Sequence, residues 1–99
     1  MNTVMVRYKV KPGCAEENAR LVHAVYEELA SSEPAGLHYA TFQLEDGVSF
    51  VHIASVEDDQ NPLREVKAFG EFQKDIAERC TEPPVTAKLD QVGSFRFWC

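Results

Sequence analysis

The sequence has few of the features of a protein that binds a nucleic acid or a membrane. Its 99 residues carry 10 Lys and Arg against 16 Asp and Glu, a formal net charge of -6. There is therefore no basic excess to neutralise phosphates or anionic lipids. No run approaches the roughly 18 consecutive apolar residues that a transmembrane helix needs. We expect neither nucleic acid nor membrane as a partner.

Cysteine is scarce and has no spacing typical of a framework. The three cysteines, Cys14, Cys80 and Cys99, are an odd number without a C-x-x-C pair, which argues against a disulfide scaffold or a zinc site. The N-terminal stretch MNTVMVRYKVKPG alternates apolar and charged residues and lacks the apolar core and cleavage site of a signal peptide. These features favour reduced thiols and a cytoplasmic location.

Several catalytic motifs are also missing. The sequence has no phosphate-binding loop, no G-x-G-x-x-G, no H-E-x-x-H and no G-x-S-x-G, so a nucleotide-binding protein, a zinc protease and a serine hydrolase are not indicated. What is present is 44% hydrophobic and 26% charged, a composition typical of one ordinary globular domain over residues 1–99.

The order of periodic segments predicts the fold. Alternating apolar residues indicate strands, and apolar residues three or four apart indicate helices. The predicted elements are a strand at 3–10, a helix at 14–31, strands at 37–44 and 48–56, a helix within 62–80 and a last strand at 85–98. With right-handed crossovers this βαββαβ order gives a ferredoxin-like α+β fold, with a four-stranded antiparallel sheet and both helices on one face.

Two details of these elements are predicted separately. Asn61 and Pro62 suit the start of the second helix, and Gly70 leaves open whether that helix is continuous or a short turn followed by a helix from about residue 68 to 79. The TEPP stretch is expected to end the helix, and the last strand is expected to bend or bulge near Gly93.

The hairpin between the second and third strands has two possible registers. A two-residue turn sets His52 opposite Thr41 and places it on the other face of the sheet from His38. A type I turn with Gly47 in the left-handed region sets His52 opposite Ala40, on the same face as His38. The second register gathers more apolar side chains on one surface, so the sequence favours it.

One face of the predicted sheet lacks a cover. The third strand reads FVHIA and is apolar on both sides, and the C-terminal strand adds Phe95, Phe97 and Trp98. Two helices cover only one face, and a large exposed apolar surface would promote aggregation. We therefore predict a homodimer formed through the sheet face.

The whole layout resembles a known superfamily. A first strand ending in VKPG, then helix, hairpin and helix, and a closing VGSFRF are similar to the dimeric α+β barrel superfamily, specifically its antibiotic biosynthesis monooxygenase-like group. The resemblance implies a pocket between the helices and the sheet of each subunit. It also implies oxidation of polyketide aromatics or quinols without metal or flavin, so no cofactor is expected.

Haem-degrading relatives share three features that this chain does not match. They resemble one another in an Asn on the first strand, a Trp after the third strand and a His on the second helix. Here the predicted first strand has no Asn, the SVEDD stretch has no Trp and residues 62–80 have no His. Haem is therefore not an expected ligand.

Cofactor-free oxygenation needs a base, a donor that stabilises an anion and a dry apolar cavity. His52 is the candidate catalytic base, because an imidazole titrates close to neutral pH. The candidate substrate-binding residues are Tyr8, Tyr39, Phe69, Phe72 and Trp98. The commoner alternative for His52 is a buried histidine paired to the backbone or to Thr41, and for the two phenylalanines it is simple core packing.

A metal site is not expected. His38 and His52 would share a face in the favoured register, but that face offers no third ligand, and zinc sites use three or four. His23 is expected to be solvated on the polar face of the first helix.

Three functions follow from this reasoning. The first is a cofactor-independent monooxygenase-like enzyme acting on a small aromatic or quinone-like substrate. The second is a non-catalytic small-molecule-binding or stress-associated dimeric module, and the third is a purely structural dimer. An open cavity lined by His52 and a tyrosine would favour the enzyme, whereas an interior filled by Phe69, Phe72 and Ile76 would favour the structural dimer.

Overall fold

The computed structural model describes residues 2–57 and 61–97. Its strands are β1 (Asn2–Val10), β2 (Leu37–Gln43), β3 (Ser49–Val56) and β4 (Cys80–Leu89), and its helices are α1 (Ala15–Ser32), α2 (Lys67–Lys74) and α3 (Ile76–Arg79). The strands form one antiparallel sheet in the order β2-β3-β1-β4. This is the predicted ferredoxin-like α+β arrangement, and the fold class is confirmed.

The first helix follows its sequence pattern. Val22 and Val25 are buried on the face that meets the sheet, and Asn18 is buried on that same face. The helix ends at Ser32, and the next residue, Glu33, adopts a left-handed conformation (φ 42°) and donates its backbone N–H to the carbonyl oxygen of Leu29 at 2.8 Å. This hydrogen bond satisfies one of the carbonyls that a helix end leaves unpaired.

The second helical region is divided. The side chain of Asn61 accepts a hydrogen bond from the backbone N–H of Leu63 at 3.0 Å, as predicted, and begins a short 3-10 turn over Pro62–Glu65. The longer helix starts only at Lys67, which agrees with the turn-then-helix alternative. Both Glu28 carboxylate oxygens of α1 accept backbone N–H groups from Lys67 and Ala68, each at 2.9 Å. Glu28 therefore caps α2 from the neighbouring helix.

The last strand differs from its prediction at both ends. β4 starts at Cys80 and contains Pro83 and Pro84, which were expected to end a helix outside the strand. It is an edge strand beside β1, and its pairing shifts register between Arg7 and Lys9, so neither proline occupies a paired position and their missing N–H groups cost no ladder hydrogen bond. The strand stops at Leu89, so a bulge at Gly93 is wrong, because Gly93 lies outside the strand.

The favoured hairpin register is also wrong. Thr41 pairs with His52. A type I turn does form, with Gly47 at φ 78° and its N–H bonded to the carbonyl oxygen of Leu44 at 3.0 Å. However, Val48 is added before pairing resumes between Leu44 and Ser49 (2.9 Å). The extra residue shifts the register by one, so His52 and His38 lie on opposite faces.

The side chain of Asp46 explains why the extra residue is accommodated. Its carboxylate accepts the backbone N–H groups of Val48 (2.9 Å) and Ser49 (2.8 Å) and the hydroxyl of Ser49 (2.6 Å). These donors, the Ser49 hydroxyl first, lower the pKa of Asp46 to about 2. The ionised carboxylate therefore replaces the strand hydrogen bonds that the loop cannot make.

The two faces of the sheet have different surroundings. The covered face packs against the helices, and its buried core consists of Tyr8, Val10, Val22, Val25, Phe50, Leu63, Val66 and Phe72. The open face carries one apolar row that runs across all four strands, Ala40, Ile53, Met5 and Ala87. The next row contains Arg7 between Val51 and Val85, and in it Phe42 is 47% exposed and Val85 is 66% exposed. No helix among the described residues is long and apolar enough to cross a membrane.

Candidate functional site

A cavity of about 320 Å³ lies between the covered face of the sheet and the second helical region. We call it the central cavity. Five of the six predicted site residues line it, namely His52, Tyr8, Tyr39, Phe69 and Phe72. The sixth, Trp98, lies outside the described residues. The interior is thus open rather than filled by the phenylalanines, although Phe72 itself is buried.

His52 is held entirely by side-chain hydroxyl groups. It is 5% exposed. Its Nε2 lies 2.8 Å from Tyr8 Oη, and its Nδ1 lies 2.6 Å from Tyr39 Oη and 3.0 Å from Thr41 Oγ1. The expected Thr41 partner is therefore present, and the histidine also borders a cavity with two tyrosines. The paired, buried histidine is confirmed, and the role of His52 as a base stays a prediction.

Two further residues extend this network and were missed in the sequence. Asn18 Nδ2 donates to Tyr8 Oη at 2.9 Å, and Tyr26 Oη lies 2.7 Å from Thr41 Oγ1. Asn18 is fully buried, and its Oδ1 has no hydrogen-bond partner among the described residues. The available signal was its position, since Asn18 falls four residues before Val22 on the buried stripe of α1, where a polar residue needs a partner.

The network favours one direction for its hydrogen bonds. Asn18 donates to Tyr8 Oη, and donation by the Tyr8 hydroxyl to His52 Nε2 then leaves no buried hydroxyl proton of Tyr8 without an acceptor. Nε2 then acts as an acceptor, and Nδ1 carries the ring proton of the neutral imidazole. That proton faces the hydroxyl oxygens of Thr41 and Tyr39.

Burial controls the protonation of these groups. Removal from water lowers the pKa of His52 to about 4, because the charged imidazolium is disfavoured. The same effect raises the pKa values of Tyr8 and Tyr39 well above the ordinary phenol value, and raises that of Tyr26. At neutral pH the histidine is therefore an uncharged acceptor surrounded by protonated hydroxyl groups.

The walls of the central cavity are largely aromatic. The ring of His52 lies 5.3 Å from that of Phe72, and Phe69 meets Tyr39 edge-on at 6.4 Å. Among the described residues that line the cavity, Arg64 is the one with a charged side chain. A flat, apolar molecule with one polar group matches such a lining.

The structure also bears on metal and haem ligands. Residues 2–57 and 61–97 contain no group of three or more His, Cys, Asp or Glu placed to hold a metal ion. His38 pairs with Ser55 on the open face, away from His52. β1 begins at Asn2, because Asn2 pairs with Val56, so the statement that the first strand has no Asn is wrong. Asn2 is exposed.

Solved structures share this fold over nearly the whole chain. A protein from Nitrosomonas europaea, provisionally named an antibiotic biosynthesis monooxygenase, gives a TM-score of 0.77 at 16% identity, over 94% of this chain and 100% of its own. A protein from Caulobacter crescentus with the same provisional name gives a TM-score of 0.69 at 21% identity, over 93% of this chain and 90% of its own. Another from Bordetella bronchiseptica gives a TM-score of 0.65 at 18% identity, over 92% of this chain and 96% of its own.

Sequence comparison adds nothing to this result. Neither the family models nor the sequences of curated proteins give a match to this chain. At identities of this size, the structural likeness establishes the fold and not the activity. The chain therefore has the fold of the antibiotic biosynthesis monooxygenase-like group that its sequence resembles.

Proposed function

We propose that the protein is a cofactor-independent monooxygenase-like enzyme that oxidises a small aromatic or quinone-like molecule in the central cavity, with His52 as the base. The observation that carries the proposal is a buried, neutral imidazole, hydrogen-bonded only to hydroxyl groups, in the wall of an aromatic cavity of about 320 Å³. Perturbed titratable groups at the wall of a cavity are typical of catalytic sites.

The first chemical step is removal of a proton from the substrate. A substrate O–H or activated C–H gives its proton to Tyr8 Oη as the Tyr8 hydroxyl proton moves to His52 Nε2, 2.8 Å away. The electron pair stays on the substrate, and Tyr39, which lines the same cavity, donates to the developing anion. Low polarity around these groups strengthens both interactions.

Dioxygen is the oxidant of the later steps. For an activated methylene, the carbanion reduces dioxygen to a carbon-bound peroxide, which takes up a proton and then loses water to leave a carbonyl group. One methylene and one dioxygen thus become one carbonyl and one water, so atoms and electrons balance without a redox cofactor. Tyr8, Tyr39, Phe69 and Phe72 hold the rings of the substrate, as predicted for these positions.

A non-catalytic binding module is the second candidate. One observation favours it, namely that both ring nitrogens of His52 already have hydrogen-bond partners. A site of this kind would bind the same flat aromatic molecules without consuming oxygen. Binding with no turnover across the substrate panel below would support this module over the enzyme.

The open face supports the proposed homodimer. Its apolar row extends over β2, β3, β1 and β4, and Phe42 and Val85 in the neighbouring row, which also contains Arg7, stay exposed in the single chain. A twofold dimer that pairs these faces would remove the apolar side chains from water. A second copy of the chain is therefore our proposed partner.

Oxygen uptake with a panel of anthrones and reduced quinones tests the enzyme. His52→Ala should lower kcat/KM by roughly 100-fold or more, the usual loss when a general base is removed. His38→Ala is the matched control, because His38 lies on the other face of the sheet, and it should keep wild-type activity in protein that sediments like the wild type. Equal turnover by wild type and His52→Ala would overturn the role of His52.

A further inference from the structure

A second cavity lies on the other side of the His52 network. It has a volume of about 330 Å³ and is lined by residues of α1, β2 and β3, including His23, Tyr26, Thr41 and Gln43. We call it the lateral cavity. His23 and Gln43 are exposed side chains, so its rim meets solvent. The buried network thus has one end at the central cavity and the other end at the lateral cavity.

The hydrogen bonds between the two cavities are continuous. From the central side, Tyr8 Oη is 2.8 Å from His52 Nε2, His52 Nδ1 is 3.0 Å from Thr41 Oγ1, and Thr41 Oγ1 is 2.7 Å from Tyr26 Oη. Every group in the series is a hydroxyl or an imidazole, which can donate at one point and accept at another. This property is what proton transfer along a chain of hydrogen bonds requires.

We propose, on the basis of the function proposed above, that Tyr8, His52, Thr41 and Tyr26 form a proton path that delivers the substrate proton to the lateral cavity. Thr41 and Tyr26 are therefore positioning residues that act through His52. The proton leaves the protein on a different side from the bound substrate.

The transfer balances at every bond. The substrate proton goes to Tyr8 Oη, the Tyr8 proton to His52 Nε2, the His52 Nδ1 proton to Thr41 Oγ1, and the Thr41 proton to Tyr26 Oη. The proton of Tyr26 then passes to water or to His23 in the lateral cavity. One proton has crossed, no electron has moved along the chain, and no side chain of the path is left charged.

The same path restores the starting state. His52 ends the first transfer as its Nε2–H form. When the peroxide anion of the substrate takes a proton back from Tyr8, each transfer runs in reverse and Nδ1 regains its proton. The fixed donor Asn18 favours that starting state, because it occupies a lone pair of Tyr8 Oη at 2.9 Å and turns the Tyr8 proton towards His52.

Burial gives a physical reason for such a path. Desolvation lowers the pKa of His52 to about 4, so storing the substrate proton as an imidazolium would be costly. Releasing the Nδ1 proton as the Nε2 proton arrives avoids the buried charge. Tyr39 also contacts Nδ1, at 2.6 Å, and borders both the central cavity and a third pocket beside Tyr26, whereas Thr41 lines the lateral cavity and bonds to Tyr26 there.

Substitutions at the two positioning residues test the path. Tyr26→Phe removes the hydroxyl and keeps the ring that stacks on Tyr39, with centroids 5.3 Å apart and planes 18° apart. Thr41→Val removes a hydroxyl with little change of shape, and Thr41→Ser is its matched control because the hydroxyl is kept. If Tyr26→Phe fails to fold, the comparison of Thr41→Val with Thr41→Ser still tests the proton path.

The first measurement needs no substrate. Exchange of the His52 Nδ1 proton with solvent, followed by NMR in the folded protein, should slow by about ten-fold or more in Tyr26→Phe and Thr41→Val, on the scale at which a proton-transfer group contributes. Thr41→Ser should exchange like the wild type. Unchanged exchange in both hydroxyl-free variants would overturn the path, whether or not the protein is an enzyme.

The second measurement uses turnover. With a substrate of the oxygen-uptake panel, Tyr26→Phe and Thr41→Val should lower kcat by about ten-fold or more with KM unchanged, and added imidazole, which fits the lateral cavity, should restore part of the loss. A fall in activity that Thr41→Ser shares, or that imidazole does not relieve, would contradict the path. If the wild type oxidises no substrate, the proposal that the protein is an enzyme is refuted, and the exchange measurement alone tests the proton path.

Discussion

The two faces of the sheet are made by the same strands and differ in almost every other respect. On β3, Phe50 and His52 face the helices, whereas Val51 and Ile53, between and beside them, belong to the open face. The covered face therefore combines aromatic packing with a hydrogen-bonded network, and the open face offers one apolar row flanked by a row that contains Arg7. The helices bury the ionisable groups of the covered face, and burial shifts their pKa values because it removes these groups from water.

The largest effect should come from breaking the open face. Ile53→Asp, between Ala40 and Met5, would place two unpaired carboxylates in a twofold dimer, at several kcal/mol each, and should raise the dimer dissociation constant by a factor of about 1,000 or more. Sedimentation velocity measures this change. Ala30→Asp, at an exposed position of α1, is the control and should sediment like the wild type. A wild-type protein that is monomeric at micromolar concentration would refute the dimer itself.

The next effect concerns the network on the covered face. Tyr8→Phe leaves Asn18 Nδ2 and His52 Nε2 without the hydroxyl that both contact, and should lower the free energy of unfolding by roughly 2–3 kcal/mol. Urea denaturation of the single and double variants gives the coupling free energy between Tyr8 and Asn18. Adding Asn18→Leu to Tyr8→Phe should recover part of the loss, because one of the unpaired groups is removed. Strictly additive losses would mean that the two side chains are not coupled.

A pH dependence follows from the buried histidine. The pKa of His52 falls from an ordinary value near 6.5 to about 4 on folding, so between these values the unfolded chain binds more protons than the folded one. The stability contributed by the neutral histidine is complete above pH 6.5 and is lost as the pH falls towards 4. Between pH 7 and pH 5 the loss should be about 2 kcal/mol by urea denaturation. His52→Gln should flatten this slope, and an identical slope would assign it to other groups.

The smallest effect tests how the helices are held over the covered face. Glu28→Gln removes the charge and one of the two acceptors that cap α2, and should cost about 1 kcal/mol of unfolding free energy. Its neighbour Glu27, exposed on α1, gives the control Glu27→Gln, which should leave the thermal midpoint unchanged. Equal midpoints for both variants would show that the cap contributes nothing.

The sequence predicts the architecture well because periodicity and end signals are local. The apolar stripe of α1 and the Asn61-Pro62 start need only neighbouring residues, and both are present in the structure. The last strand was misplaced because prolines usually interrupt strands. Its tolerance of Pro83 and Pro84 depends on non-local facts, namely that β4 lies at the edge of the sheet and that its pairing with β1 shifts register at these residues.

The sequence predicted which residues form the candidate site but not which hydrogen bonds join them. Residue type and strand position were enough to select His52, Tyr8 and Tyr39, which meet at the central cavity. Asn18 and Tyr26 join them across the fold from α1, and no local pattern encodes which hydroxyl a buried amide or phenol will contact. Roles in catalysis for any of these residues await the oxygen-uptake measurements.

The four-residue turn between β2 and β3 has a consequence for how such a site changes during evolution. Leu44 and Ser49 flank this turn and bond to each other, so loss of Val48 would leave a three-residue turn between the same two residues and keep Thr41 opposite His52. Loss of Phe42, inside β2, would instead turn the preceding part of the strand over and bring Ala40 opposite His52. A one-codon deletion would thus spare the site when it falls in the turn and change it when it falls two residues away in the strand.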